Sequence, residues 1–517
     1  MKHSVRPIHF IILIITLIYS LFAYWAPPVG DDLMFVSDYI GVCGSDILSW
    51  HGLMANADYL RATDNVRLPN LIAPVLLLGL PKAVIAALIG LFAAACITLI
   101  CRLAGRVNAV RLIVVWALTV FLCPWRGNTI TTIIGLNVFV PAVFNLLFLI
   151  QLSQERKSRL RKFALVLTAL IACTMHEGWS VPVASGLICL ALIRRFRLPS
   201  EVWTSLGVYL GGIIWLLTAP GMLSRIGNVV ATGFNLKLFV TMGLPLVIAA
   251  CVLAYSVFSG KLRRFITCDA ARLTLSAAWC VSVAIGIYSR SLNPNALWIT
   301  DIMSIALIVA IAGEIVKGCV GQKCCKLIAA GLLTAITAFY INVLHVQYRS
   351  WQQHRAIDAL LAESPDGTAF ADFDIGLPHS TLLHPVNAIW SDFLHIYSAN
   401  CLEKTKGKGR LIAVVPEVLS LMHADSITPL PGSEGFYDFH GELLADDRPL
   451  TYSHWTGALD VTAVACSLTL TDAAGETYDD CDCLAERFTT PDGKHMLWIR
   501  PLNARINGPF VQVRGEI

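Results

Sequence analysis

Asp31 and Asp32 stand side by side in Ala26-Pro27-Pro28-Val29-Gly30-Asp31-Asp32, where the chain leaves its first apolar segment. A carboxylate held at a membrane surface can act as general base on an alcohol, or bind a divalent cation such as Mg or Mn. Asp38, Asp46, Asp58 and Asp64 follow before the next long apolar run, so six of the twelve acidic residues of 1–344 crowd into one connection. Charge at a membrane boundary is costly to desolvate and is most often kept there for a site. The ordinary alternative is a pair of solvated aspartates after a Pro-Pro-Val-Gly turn.

Complementary groups lie further along. Arg67, in Asp64-Asn65-Val66-Arg67-Leu68-Pro69-Asn70, precedes the second long apolar run; its guanidinium fork matches phosphate oxygens, unless it only snorkels to headgroups. Arg225, after Ala219-Pro220-Gly221-Met222-Leu223-Ser224, and Arg290, in Tyr288-Ser289-Arg290-Ser291, close later runs. With Arg67 they would form an outward-facing cationic pocket. His176 and Glu177, in Met175-His176-Glu177-Gly178-Trp179, could orient a base, hold an acceptor sugar or ligate a metal, or serve as a polar connector. Asn137 could bond a sugar or cap a helix, Asp64 is a second substrate-positioning candidate, and Asp301 could cap its helix or balance Arg290.

These groups need a frame, and the composition says which. The chain has 517 residues, 56% hydrophobic and 14% charged, with mean hydropathy +0.66; ordinary soluble domains carry about 25% charged residues. Apolar runs fall at about 8–26, 83–101, 107–123, 136–152, 163–176, 178–193, 203–219, 237–258, 273–288, 298–316 and 327–344, each near the length of a membrane-crossing helix. With the N-terminus inside, twenty Lys and Arg fall in inner loops and seven (Arg61, Arg67, Lys82, Arg126, Arg225, Lys237 and Arg290) outside, as the positive-inside rule requires. The formal charge of +4 therefore marks topology and argues for no nucleic-acid partner. The first run is long for a signal peptide, lacks a small-x-small cleavage site and ends at Trp25, so it reads as a retained anchor.

The stretch Phe163–Ile193 has 31 residues between basic clusters. One helix of that length would be about 46 Å long, more than a bilayer accepts. Two short helices instead put His176 and Glu177 on the same outer face as Asp31 and Asp32.

After Leu344 the texture becomes that of a soluble domain. Trp351–Glu363 reads as a helix, Thr368–Phe373 and Leu411–Val415 as buried strands. Val461–Thr471, His495–Arg500 and Pro509–Val513 alternate like an antiparallel sheet, with Pro491-Asp492-Gly493 as a turn. Cys401, Cys466, Cys481 and Cys483 allow up to two disulfides there, with three pairings open. The expected architecture is an all-α polytopic membrane domain of about eleven transmembrane helices over 1–344, with a catalytic first periplasmic loop at 27–82. A periplasmic mixed α/β domain follows over 345–517. There is no Walker A loop, Gly-rich dinucleotide fingerprint, His-Glu-x-x-His or Gly-x-Ser-x-Gly, which removes support from a nucleotide-driven pump, an oxidoreductase and a zinc protease.

Taken in order, Gly30-Asp31-Asp32, Asn65-Val66-Arg67, Asn137-Val138, His176-Glu177 and Pro220-Gly221-Met222-Leu223-Ser224-Arg225 resemble the motif series of a bacterial GT-C-like family. That family belongs to the GT-C superfamily of membrane glycosyltransferases, which use polyprenyl-phosphate sugars. Val66, Val138 and Met222 replace the family's Gly, Tyr and Asn, and the likeness covers about 1–300. The chain is also similar to the serotype-converting O-antigen glucosyltransferases. The resemblance implies an inverting transferase in the bacterial inner membrane. It would move a sugar, a hexose such as glucose, from undecaprenyl phosphate to a periplasmic glycan such as the O-antigen of lipopolysaccharide. Asp31, Asp32, His176 and Glu177 form the expected catalytic set, with Arg67, Arg225 and Arg290 on the donor phosphate and Asn137 and Asp64 positioning substrate. Asp31 and Asp32 are also the expected ligands of a divalent cation, should the reaction use one. Two rivals stay open. One is an O-antigen polymerase or ligase, which would rely on arginines. The other is a lipid-linked sugar transporter or flippase, which should show repeat symmetry or polar residues at mid-membrane.

Overall fold

The computed structural model describes residues 5–26, 35, 39, 42, 49–123, 132–154, 158–227, 244–258, 269–288, 294–315, 322–363, 368–371, 410–413, 424–429, 437–441, 450–451, 460–461, 464–472, 474–489, 495–501 and 510–515. Its helices are α1 Val5–Trp25, α2 Trp50–Thr63, α3 Leu68–Gly79, α4 Lys82–Leu103, α5 Ala109–Leu122, α6 Thr132–Leu152 and α7 Arg159–Cys173. They continue with α8 Glu177–Ile193, α9 Ser200–Leu217, α10 Pro220–Gly227, α11 Leu244–Phe258, α12 Ala270–Tyr288, α13 Pro294–Ile315 and α14 Gln322–Glu363.

Each of the eleven apolar runs contains a helix. Pro7–Trp25, Lys82–Leu103, Gly135–Leu152, Ser200–Leu217 and Lys323–His345 are long and apolar enough to cross a membrane, and six further apolar helices have 10–17 residues. By length and composition this is a helical membrane protein. On α1, Phe10, Leu13, Leu17 and Leu21 are exposed while Ile15, Tyr19 and Phe22 are buried, a division suited to a helix with lipid on one side. Small residues set the helix crossings. A Cβ on Gly90 of α4 would come 2.1 Å from Ser20 Oγ and 2.4 Å from the Thr16 carbonyl oxygen of α1; on Gly186 of α8 it would come 2.4 Å from the Thr274 carbonyl oxygen of α12. Where lipid is as apolar as leucine, such close approach is what holds helices together.

The connection 27–82, expected as a loop, contains two helices among its described residues. Ser49 caps α2, its Oγ accepting from the Gly52 N–H at 2.9 Å. Helix α3 is apolar, with Pro69 in its first turn and Pro74 inside. At 12 residues it is about 18 Å long, too short to cross, which is why a reading by span length passes over it. Phe163–Ile193 does divide in two, with His176 extended at φ −166°, ψ 128°. However, α7 packs chiefly on α9 and α8 on α12, so the two halves are not a closely packed hairpin.

Two capping roles fall away. Asn137 lies within α6 and Asp301 within α13, both beyond the first turn where a cap acts. The last apolar run and Trp351–Glu363 form one helix of 42 residues, α14.

The described residues form two units, a helical one up to Tyr348 and a second one that takes in Phe35, Tyr39, Val42 and the residues from Arg349 on. The second unit holds β1 Thr368–Ala371, β2 Arg410–Ala413, β3 Ala424–Pro429, β4 Tyr437–Gly441, β5 Leu450–Thr451, β6 Asp460–Val461, β7 Val464–Asp472, β8 Thr477–Thr489, β9 His495–Pro501 and β10 Phe510–Gly515. Strands β1 and β2 run parallel, while an antiparallel six-stranded sheet has the order β10-β7-β8-β9-β4-β3. Expectation missed β8 because Asp479, Asp480, Asp482, Glu486 and Arg487 interrupt its alternation. Its register sets Cys483 opposite Cys466 of β7. The turn Pro491-Asp492-Gly493 and Cys401 lie outside the described residues.

Candidate functional site

Arg67 precedes α3 in extended backbone, with φ −63° and ψ 136°. The next residue, Leu68, donates its N–H to the Thr174 carbonyl at 3.0 Å, which ties the start of α3 to the break between α7 and α8. Across that tie, Arg67 Nε donates to Glu177 Oε2 at 2.8 Å and its terminal amino group donates to Oε1. This is the bidentate fork of a strong arginine–carboxylate pair. The two side chains are 18% and 20% exposed, so the pair is shielded without being sealed. Burial pushes the Glu177 carboxyl up, but the Arg67 guanidinium and the hydrogen bonds outweigh it and hold the group below the usual carboxylate range. Glu177 also opens α8, where the helix dipole favours an anion.

His176 caps α8. Its Nδ1 accepts the Gly178 N–H at 3.0 Å, so the ring proton of the neutral imidazole sits on Nε2. Glu177 Oε2 is 3.7 Å from the same Nδ1, beyond hydrogen-bond reach. With Nδ1 already an acceptor, that contact is no ion pair. The break is stapled from the other side by Ser180, whose Oγ lies 2.7 Å from the Cys173 carbonyl oxygen and 2.9 Å from that of His176.

Beneath Arg67 runs a ladder of three buried amides. Asn137 Nδ2 donates to Asn70 Oδ1, and Asn70 Nδ2 donates to Asn65 Oδ1 at 2.7 Å. Asn65, Asn70 and Asn137 are 3%, 2% and 8% exposed. The ladder locks α6 to the 64–70 segment. Asn70 was not singled out from the sequence; an asparagine inside the apolar run Leu68–Gly79, three residues past Arg67, was the signal to read.

Asp64 caps the end of α2 and is buried. A Cβ on Gly221 would come 2.4 Å from the Asp64 backbone nitrogen and 2.5 Å from its oxygen, so only glycine lets α10 sit there. Val66 packs with Leu216, Ala219 and Met222. The Pro220-Gly221 motif and the Asp64–Arg67 motif are therefore one place in the fold. Arg225 lies on α10, but its side chain is outside the described set. Helix α13 closes the other side: the Trp298 ring meets Phe139 of α6 edge-on at 6.3 Å, and a Cβ on Gly178 would come 2.9 Å from Ile299 Cδ1.

Of the sequence-derived candidates, Asp64, Arg67, Asn137, His176 and Glu177 meet in this cluster. Asp31, Asp32 and Arg290 lie outside the described residues. Among the described residues no three His, Cys, Asp or Glu side chains come together as a metal would need. The arrangement presents a guanidinium fixed in plane by a carboxylate, with an imidazole N–H beside it, a set of donors suited to an anionic oxygen. No family model matches this chain, and no curated protein matches it either.

Proposed function

We propose that this chain is an inverting GT-C-type glycosyltransferase of the bacterial inner membrane. It moves a sugar, a hexose such as glucose, from undecaprenyl phosphate to a periplasmic glycan acceptor such as O-antigen. The observation that carries the reading is the convergence of four separate motifs, Asp64–Arg67, Asn137, His176-Glu177 and Pro220-Gly221, on one polar cluster. In this reading eleven helices cross the membrane, the N-terminus is cytoplasmic and residues 345–517 are periplasmic.

Asp31 or Asp32 takes the proton of the acceptor hydroxyl, whose oxygen attacks the anomeric carbon. The bond from that carbon to the phosphate oxygen breaks, and the lipid phosphate leaves with the electron pair. Its growing charge needs cations already in place, the role of Arg67, Arg225 and Arg290. A divalent cation on Asp31 and Asp32 would add to them. Glu177, already spent on Arg67, acts as a positioning residue that fixes the guanidinium plane, and the Nε2–H of His176 is placed to donate to donor or acceptor. One displacement inverts the anomeric centre.

The test compares surface glycans by mass from cells with the protein, without it, and with Asp31→Ala/Asp32→Ala or Arg67→Ala at equal membrane levels. A one-sugar gain on each repeat unit, lost in the variants, is expected. A gain that survives the aspartate changes but not the arginine change favours a polymerase or ligase. A second reading, a lipid-linked sugar transporter, draws on Asp301, a carboxyl buried in the interior of α13; it predicts no mass gain at all.

A further inference from the structure

Asp301 has no task in the site described above. It is 0% exposed, and neither of its carboxyl oxygens has a hydrogen-bond partner among the described residues. Its neighbours on α13 show the contrast. Thr300 Oγ1 shares a hydrogen bond with Ser282 Oγ at 2.7 Å; Ser304 Oγ donates to the Thr300 carbonyl and accepts from Trp279 Nε1, both at 2.7 Å. The bonds to Ser282 and Trp279 join α13 to α12. Asp301 lies instead near the buried thiol of Cys123, just past α5.

A carboxyl kept for structure is kept with hydrogen bonds, because burial otherwise strips its water and returns nothing. An acid retained inside a membrane bundle without them marks a functional position. A metal ion would need several donors around it, and no such group is found among the described residues. A hydrogen ion is the one cation that a lone carboxylate binds in such a place, since protonation removes the charge that apolar surroundings disfavour.

We propose that Asp301 is a proton-binding site within the helical bundle, an acid that holds a hydrogen ion at rest and exchanges it with solvent. In the exchange the O–H bond breaks, the proton passes to water and the carboxylate keeps the electron pair. The inference stands apart from glycosyl transfer, because a proton site would serve a transferase or a transporter. The same turn of α13 carries Trp298 and Ile299 against the candidate site, so a change at Asp301 has a short path to it.

The experiment uses the full chain in lipid bilayers, with its aspartates labelled by carbon-13 at the side-chain carboxyl, and infrared spectroscopy at neutral pH. A labelled band of a protonated carboxyl is expected, shifting within minutes in heavy water and missing from Asp301→Asn. Absence of the band overturns the proposal and means an ionised Asp301 against a cation. A band that holds its position for hours in heavy water also overturns it, as that of a sealed acid. Should Asp301→Asn fail to fold, Asp301→Glu removes the labelled band while keeping an acid in place.

Discussion

At the residue scale the clamp between Arg67 and Glu177 decides how this site is read. Each residue was a candidate in its own right, one for phosphate and one for catalysis, and together they are one device: the carboxylate orients the guanidinium. Removing either partner leaves a largely buried charge with no counterpart, which destabilises by about 3 kcal/mol. Arg67→Ala and Glu177→Ala should each show that loss in denaturant unfolding in detergent. The double variant should lose clearly less than their sum, because it leaves no orphan. Strict additivity would mean that the clamp does not form. Arg67 was legible as an arginine expected, from the count of basic residues, on the side that usually lacks them. Its partner, 110 positions along the chain, was not, because nothing local to either residue encodes the contact.

At the element scale, the small residues of the motifs are seats for backbone. Gly221 shows this most directly, since its absent side chain is replaced by the Asp64 main chain. Gly221→Ala should push α10 off Asp64 and destabilise by about 2 kcal/mol, the usual range for overpacking. Gly207→Ala is the control, because a Cβ there meets nothing within 4 Å and should leave unfolding unchanged. Equal effects from the two would remove the packing argument. The Pro-Gly pair could be read as a turn from sequence. Only the fold shows that it sits on the residues before Arg67, and that α2 and α3 occupy what looks like a loop. Short helices such as α3 leave no span-length signal, and their stability comes from packing on α6 rather than from their own length.

At the scale of the whole molecule, the prediction is one of sidedness. Alkaline phosphatase fused after Leu80, Trp179 or Gly221 should be active, and fused after Gly105 or Phe196 inactive. An inactive Trp179 fusion with an active Phe196 fusion would make 163–193 a single crossing and put His176 and Glu177 inside it instead of at the outer face. The helix bundle and the six-stranded sheet show how differently the two units are built. The helical unit repeats apolar runs that can be seen by eye. The second unit depends on strands such as β8, whose acidic residues hide its alternation and whose place is set by pairing with β7 and β9.

Composition and the periodic apolar runs were enough to determine a helical membrane protein. These are local or additive properties, since hydropathy and charge are summed along the chain and need no partner. What only the tertiary structure decided were the pairings: Arg67 with Glu177, Asn137 with Asn70 and Asn65, Gly221 with Asp64, and, among the described residues, an Asp301 without a hydrogen-bond partner. Each depends on which helix lies beside which, an outcome of packing between segments far apart in sequence. It is there, rather than in any single motif, that the candidate site comes together.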